Sequence, residues 1–338
     1  MSQTYQRFIN NMVKSRFTPF VFAVIAITLR LGMFLSLGLN QQQYPTSFVW
    51  NLLSPIFSNS WISLLASTAC TLLIAFIISQ LNLLFNLIRF RTALPFSMLM
   101  LFLSIHPTFL PMSPNYISII FILLAFFPLL QSYQHHSPRN FAFKSGVLLA
   151  FAAIFQVYSI IFLLLWIYGE ISMHDFRVKS LLALIIGATL VVWNVAGLFF
   201  IFDSLDSFIV PFTYFEKVIF SIPIFTLPQW ITIGLLILLS SLFLVLNYQV
   251  YHRERVLIQK TFSFINLIII CSFILHFLYL DQTLFFVQFI VSVMSFIVAN
   301  YYSHVKSKWQ TYSFVVLLIG LALIYINSIT GSSLLLQS

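Results

Sequence analysis

Asp203 and Asp206, in the stretch FDSLDS, are the two most closely spaced acidic residues in the sequence. A carboxylate pair at this spacing could bind Mg²⁺ or act as a general acid and base. The pair also directly follows a long apolar run, and membrane topology alone places acidic residues at such helix ends. We expect the topological role, and we keep both residues as the candidates for catalysis.

Arg30 is the second candidate, because it lies inside the apolar run 17–39. An Arg within a membrane helix costs at least ~2.5–3.5 kcal/mol. Arg30 lies about nine residues, or roughly 14 Å, from the outer end of this run, which is too far for easy snorkelling. We therefore expect it to face protein and an anionic partner, which is either a bound lipid phosphate or a structural partner, Asp203 or Asp281.

Asn194, His276 and Gln288 are isolated polar residues within apolar runs. Each is expected to form a hydrogen bond to a neighbouring helix rather than to bind a ligand. Cys70 and Cys271 also lie in apolar runs, and the sequence has no CxxC motif or Cys/His cluster. We therefore predict no metal site. Since the sequence has neither a P-loop nor a Gly-rich nucleotide fingerprint, we also predict no cofactor.

Membrane helices must position these side chains, because the composition excludes a soluble domain. The 338 residues are 61% hydrophobic and 7% charged, with a mean hydropathy of +1.02, which is typical of a polytopic membrane protein. The net charge of +9 does not indicate a nucleic-acid partner, because the basic residues are scattered between apolar runs. We predict an all-α transmembrane bundle forming one domain, 1–338.

Ten apolar stretches can be distinguished, and nearly all approach or exceed the ~20 residues that span a membrane. The stretch 94–110 is the short one, and prolines at its outer end predict an irregular backbone there. Two further stretches, 44–60 and 207–225, are aromatic and contain proline, and we predict interfacial helices for them. The ten stretches are 17–39, 61–88, 94–110, 115–133, 145–169, 180–202, 226–250, 261–280, 283–302 and 311–329.

The stretch 145–169, SGVLLAFAAIFQVYSIIFLLLWIYG, has the length of one crossing, yet basic residues lie near both of its ends. Basic residues accumulate on the cytoplasmic side, so a single crossing would place one group on the wrong side. We predict a re-entrant helical hairpin, with Gln156 and Tyr158 at its turn and beside a cavity. Each arm of about 12 residues would extend roughly 18 Å, about half of the bilayer.

The hairpin restores the alternation of charge along the chain. About nine crossings then remain, with the N-terminus inside and the C-terminus outside, and fourteen of the sixteen basic residues fall inside. The exceptions are Lys217, outside, and Arg30, within a helix. A single crossing at 145–169 would move seven basic residues to the outer side.

The order SPNYISIIFILLAFFPLL, a basic loop, GVLLAFAAIFQVYSIIFLLLW and a second basic loop resembles the middle of GT-C-type membrane glycosyltransferases. The stretch AITLRLGMFL is similar to their first helix. This resemblance covers about 17–202, and helices at about 226–329 follow it. It implies sugar transfer from a polyprenyl-phosphate carrier. Most of the chain also resembles an uncharacterised family of bacterial inner-membrane proteins, through RFRTALPF, HPTFLPMSPNYIS and the hairpin.

The sequence departs from the GT-C pattern at the first outer loop. The resemblance places a catalytic Asp or Glu there, but the stretch LNQQQYPTSFVWN contains no acid. Gln41, Gln42 and Gln43 can form hydrogen bonds but cannot take up a proton. The chemistry of that family is therefore not supported by this loop.

We therefore predict a non-catalytic subunit of a cell-envelope assembly, located in the bacterial inner membrane and built on a GT-C-like scaffold. Its expected partners are a membrane lipid, which the resemblance implies is polyprenyl phosphate, and other envelope membrane proteins. The first alternative is a glycosyltransferase that uses a polyprenyl-phosphate-linked sugar at the outer face. The second alternative is a transporter.

Overall fold

The computed structural model is helical throughout its described part, which contains no β-strand. The three glutamines of the first outer loop, 41–43, and Lys217 lie outside the described residues. The described residues are 7, 11, 15, 17–39, 44, 47–88, 92–133, 135, 138–173, 177–215, 225, 227–252, 254–303 and 308–335.

Long apolar helices dominate the described part of the chain and confirm the all-α class. Eight of them have the length and composition needed to cross a membrane, namely α1, α3, α5, α8 and α10 to α13. Of the two stretches predicted to be interfacial, 44–60 contains the short helix α2, and 207–225 overlaps the short helix α9, which begins two residues earlier. The α-helices are α1 (Thr18–Leu37), α2 (Trp50–Leu53), α3 (Ser60–Phe85), α4 (Leu94–Phe102), α5 (Pro114–Gln131), α6 (Arg139–Phe155), α7 (Ile161–Met173), α8 (Val178–Ile201), α9 (Leu205–Thr213), α10 (Leu227–Tyr251), α11 (Val256–Leu278), α12 (Thr283–Ser303) and α13 (Lys308–Leu335).

The stretch 94–110, predicted to be one of nine crossings, is not a single helix of membrane-spanning length. Helix α4 ends at Phe102, and turns with a short 3₁₀ helix at Pro107–Phe109 follow. The prolines explain this early end, because proline lacks the N–H group that helix propagation needs. His106 caps the 3₁₀ helix, since its Nδ1 accepts a hydrogen bond from the backbone N–H of Thr108 at 3.3 Å.

This broken segment nevertheless runs along most of helix α3. At one end, Asn82 Nδ2 donates to the Thr92 carbonyl at 3.4 Å, and at the other the Met112 N–H donates to Ser63 Oγ at 2.8 Å. Ser63 and Asn82 are separated by about 28 Å of helix. The segment is therefore antiparallel to α3, and it lies almost wholly in the interior.

The predicted hairpin consists of two helices, α6 and α7, with a break between them. Gln156 has an extended backbone (φ −144°, ψ 107°), and a 3₁₀ turn at Val157–Ile160 leads into α7. The break thus lies at the predicted position in the sequence. The predicted depth, halfway across the membrane, is wrong, because Gln156 contacts Asn115 and Gln282 at the beginnings of α5 and α12. The arms are longer than predicted, because the first one is already helical at Arg139 and has 17 residues, or about 25 Å. Its end meets the segment before α2, where the Phe48 N–H donates to the Ile154 carbonyl at 3.1 Å.

Helices α6 and α8 lie side by side and run in the same direction. Arg139 and Lys179, at their beginnings, line one pocket. Ala153 and Val192, much further along the two helices, line another. Because both helices begin at the same end of the bundle, α7 must return the chain between them. We call this end, with Arg139 and Lys179, the basic end, and both ends of the hairpin lie there.

Helix α12 forms the centre of the bundle. Its membrane-length segment is 89% buried, far more than any other, and it packs against α4, α10 and α11. Asn300 Nδ2 donates to Asn247 Oδ1 of α10 at 2.8 Å. The central helix therefore carries a polar bond to a neighbouring helix in the interior of the bundle.

Candidate functional site

Gln156 joins three parts of the bundle at the break in the hairpin. Its side chain is fully buried, and Nε2 donates to Asn115 Oδ1 at 3.2 Å and to Gln282 Oε1 at 3.0 Å. Gln282 in turn donates to Asp281 Oδ2 at 3.0 Å. Oε1 of Gln156 and Oδ1 of Asp281 are buried without a hydrogen-bond partner. The cluster therefore fixes the break and keeps two acceptor oxygens available.

Tyr158 anchors the same break through aromatic contacts. Its hydroxyl donates to the Tyr214 carbonyl at 3.1 Å, and its ring lies 4.9 Å from that of Phe215 and 4.8 Å from that of Tyr279. Tyr44 lies at the same end of the bundle, outside the long helices, and is hydrogen-bonded to Ser113. Burial raises the pKa of the Tyr44 hydroxyl above its usual value.

An apolar groove of about 400 Å³ lies beside the hairpin. The groove has small residues on both walls, such as Ala150 and Ala188, and Trp193 at its edge. Gln156 and Tyr158, which we predicted beside a cavity, do not line it. The lining residues are Leu149, Ala150, Ala153, Ile160, Leu163, Ala188, Thr189, Val192, Trp193, Ala196 and Phe208.

Two larger grooves flank the last helix, α13. One of about 630 Å³ lies between α1, α4 and α13 and includes Phe22 and Tyr325. The other, of about 610 Å³, lies between α10, α12 and α13 and includes Leu239 and Tyr302. Apolar side chains form nearly all of both linings. Grooves of this size and character between helices are suited to hydrocarbon chains.

Arg30 is fully buried and donates hydrogen bonds to neutral oxygens. Nη1 donates to the Leu103 carbonyl at 2.9 Å, and Nη2 donates to the Phe109 carbonyl at 3.0 Å. Nε donates to Thr68 Oγ1 at 3.1 Å, and Nη2 also reaches Ser67 Oγ at 2.6 Å. The guanidinium thus joins α1 to α3 and to the segment that follows α4.

The carbonyls that Arg30 binds belong to the irregular part of the broken segment. Backbone groups outside a helix at this depth must find hydrogen-bond partners within the protein. Arg30 provides donors for these carbonyls. Both partners predicted for Arg30 were anions. Within the described residues, the structure gives it carbonyl and hydroxyl oxygens, and places neither Asp203 nor Asp281 in contact with it.

Asp203 and Asp206 are both exposed at the turn between α8 and α9. Asp203 adopts a left-handed backbone (φ 54°) just after α8, a conformation that Asp tolerates better than most residues. Asp206 lies in the first turn of α9, where its negative charge interacts favourably with the helix dipole. Both acids therefore have structural roles at this turn, Asp203 in the backbone conformation and Asp206 at the helix N-terminus. No group of three metal-ligating side chains occurs in the described part of the chain.

The three isolated polar residues have different environments. Asn194 is exposed and donates to the Leu190 carbonyl of its own helix at 2.7 Å, so it does not form the predicted bond between helices. His276 and Gln288 are buried, and the Nδ1 atom of His276 and the Nε2 atom of Gln288 have no hydrogen-bond partner.

Glu170 is a buried acid that the sequence reasoning passed over. It lies in the returning arm, α7, with 2% of its surface exposed, and neither carboxyl oxygen has a hydrogen-bond partner. The sequence feature that could have indicated it is its position, because Glu170 directly follows the 25-residue apolar stretch 145–169. It was missed because the predicted arm ended at residue 169, whereas the helix continues to Met173.

The fold and these grooves define the class of multi-pass helical membrane proteins, by the length and composition of the eight helices. No family model, curated protein or solved structure matches the chain. The resemblances to GT-C enzymes and to a bacterial inner-membrane family therefore stay predictions from the sequence.

Proposed function

We propose that the chain is a non-catalytic, lipid-binding protein of the bacterial inner membrane. Its topology has the N-terminus inside and the C-terminus outside, with the broken segment as one of nine crossings and the hairpin entering from the cytoplasm. The shared pocket at the beginnings of α6 and α8 supports this arrangement, because it brings Arg139 and Lys179 to one end of the bundle.

The observation that carries the proposal is the apolar groove beside the hairpin. Side chains of α6, α7, α8 and α9 line it, and its small lining residues include alanines on α6 and α8. A hydrocarbon tail can fill such a space by packing against its apolar lining. Because the surrounding lipid is as apolar as the groove, the gain comes from van der Waals contact. The occupant is the acyl or polyprenyl tail of a membrane lipid.

The candidate catalytic groups support binding rather than chemistry. Asp203 and Asp206 are exposed in a turn with structural roles of their own, and the donors of Arg30 are directed at backbone carbonyls and hydroxyls. A scaffold of this kind serves a cell-envelope assembly by presenting a lipid to a partner. A glycosyltransferase using a polyprenyl-phosphate-linked sugar remains the alternative.

Retention of lipid by the purified protein tests this proposal. Full-length protein in mild detergent is analysed by native mass spectrometry, and we expect a lipid to remain bound to each chain. Ala196→Phe fills the groove and should reduce retention about tenfold. Leu190→Phe, on the exposed face of the same helix, places the same aromatic ring outside the groove and should leave retention unchanged.

Two outcomes would contradict the proposal. Equal retention by the Ala196→Phe and wild-type proteins would show that the groove does not hold the lipid. Release of a polyprenyl phosphate from a lipid-linked sugar would replace binding with glycosyl transfer.

Glu170 favours the transporter as a second candidate function. Ionisable groups inside membrane helices frequently belong to ion pathways, and this acid is buried without a hydrogen-bond partner. A proton flux into proteoliposomes that Glu170→Gln abolishes would establish this function.

A further inference from the structure

A second cavity between α6 and α8 lies at the basic end and differs in character from the apolar grooves. It has a volume of about 310 Å³ and is formed by the residues at which both helices begin. Three of its six lining residues are basic. The lining residues are Pro138, Arg139, Arg177, Val178, Lys179 and Ser180.

Both helices direct their positive ends toward this cavity. The first N–H groups of a helix have no partner within the helix, and the helix dipole adds a partial positive charge there. In α6 and α8 the third of these groups, on Phe141 and on Ser180, is bonded to the N-cap carbonyl, which leaves the groups before it. Neither Pro138 nor Arg177, the residues at the two N-caps, caps its helix with a side-chain hydrogen bond, and neither first turn contains an acid. Parallel packing of α6 and α8 therefore brings two uncapped helix ends together with three cationic side chains.

Ser180 provides an independent indication of a ligand. It lies in the first turn of α8, its side chain is 4% exposed, and its Oγ atom is buried without a hydrogen-bond partner. An unpartnered buried hydroxyl costs about 1–3 kcal/mol. A phosphate oxygen in the cavity would accept its hydrogen bond while neutralising the basic groups.

The surface next to the cavity indicates that a phosphate bound there would belong to a lipid. Val178, Leu182 and Ile186 are about half exposed and follow one another at four-residue spacing, so they form an apolar stripe down one face of α8. The stripe begins at the cavity itself, where Val178 is part of the lining. A ligand with a phosphate group and hydrocarbon chains would match both surfaces.

We propose that this cavity binds the phosphate group of an anionic membrane lipid in the cytoplasmic leaflet. Arg139, Arg177 and Lys179 hold the phosphate oxygens, Ser180 donates a hydrogen bond, and the acyl chains lie along the α8 stripe. The inference rests on the proposed function, since it names the headgroup that this lipid-binding protein selects. Basic pockets at the cytoplasmic ends of membrane helices favour such headgroups.

Competition between two lipids tests the inference. Full-length protein is placed in nanodiscs of phosphatidylcholine with or without phosphatidylglycerol, and the retained lipid is identified by native mass spectrometry. We expect about a tenfold preference for phosphatidylglycerol. Ser180→Ala leaves the charge unchanged and should reduce this preference about threefold. A triple variant should abolish it: Arg139→Gln, Arg177→Gln and Lys179→Gln.

A second triple variant controls for net charge. It removes three basic side chains that do not line the cavity, and it should keep the preference of the wild-type protein. A control that loses the preference equally would overturn the inference, because general surface charge would then explain it. The control substitutions are Lys144→Gln, Arg255→Gln and Lys260→Gln.

The remaining outcomes separate this inference from the proposed function. Retained lipid with no preference for the anionic headgroup would overturn the inference alone. The absence of any retained lipid would overturn the proposed function as well. Inorganic phosphate that binds in phosphatidylcholine nanodiscs as tightly as phosphatidylglycerol, and is lost in Ser180→Ala, would identify a soluble phosphate as the ligand and overturn the lipid source.

Discussion

At the scale of single residues, Arg30 has a different role from the one that its position in the sequence predicts. A lone Arg in an apolar run demands a partner, and a carboxylate or a phosphate is the obvious choice. The structure instead gives it carbonyls of Leu103 and Phe109, which lose their helical partners where α4 ends. Arg30 and the broken segment thus satisfy each other's hydrogen-bonding needs.

Arg30→Gln tests this role. The shorter side chain cannot reach the same carbonyls. The Leu103 carbonyl loses the donor that Arg30 provides, whereas the Phe109 carbonyl keeps its hydrogen bond from the Tyr116 hydroxyl. A buried carbonyl left without a donor costs about 1–3 kcal/mol. We expect the free energy of unfolding to fall by about 3 kcal/mol, measured from thermal unfolding in detergent. Arg255→Gln, at an exposed position, should change it by less than about 0.5 kcal/mol. An Arg30→Gln protein of normal stability that has lost a bound phosphate lipid would contradict the structural role.

At the scale of elements, the parallel pair of α6 and α8 defines both the groove and the basic pocket. The two helices approach closely because Gly146 and Gly187 lack side chains at their contact. A Cβ atom at Gly146 would overlap the Leu184 carbonyl, and one at Gly187 would overlap the Phe143 carbonyl. Small residues at such contacts let helix backbones meet.

Alanine substitutions at these glycines test the packing of the pair. Gly146→Ala and Gly187→Ala should each lower the free energy of unfolding by about 1–3 kcal/mol, because backbone must move to admit the methyl group. Gly197→Ala on the same helix is the control, since no atom lies within 4 Å of its added Cβ. It should stabilise the helix by about 0.5–1 kcal/mol. If all three proteins melt alike, the close approach of α6 and α8 is not as described.

At the scale of the whole molecule, the hairpin determines on which side of the membrane each later loop lies. Arg139 and Arg177 line one pocket, so the chain enters and leaves the hairpin at the same end. Asp203 and Asp281 lie at the opposite end, beyond α8 and between α11 and α12. The proposed topology places the first pair in the cytoplasm and the second pair outside.

Cysteine labelling with a membrane-impermeant reagent tests this topology. In a background lacking Cys70 and Cys271, Arg139→Cys and Arg177→Cys should react only after the cells are opened. Asp203→Cys should react in intact spheroplasts, because its side chain is exposed at the outer end. Reaction of Arg177→Cys in intact spheroplasts would contradict the re-entrant hairpin and the cytoplasmic pocket together.

The sequence by itself determined the helical membrane class and the position of the break at Gln156. Both follow from properties that short stretches of chain carry alone, namely apolar length, proline and charge. It also indicated the irregular end of the stretch 94–110, since prolines act locally. It did not determine the length of the hairpin arms, because helix propagation from Arg139 leaves no mark in the hydropathy.

Only the tertiary structure decided which side chains meet. The partners of Arg30 lie about 40 to 80 positions away along the chain, and no local pattern links them. The groove and the basic pocket arise from the parallel packing of α6 and α8, which α7 makes possible by returning the chain. Contacts of this kind depend on how separate helices pack together, and a linear pattern of polar and apolar residues does not specify that packing.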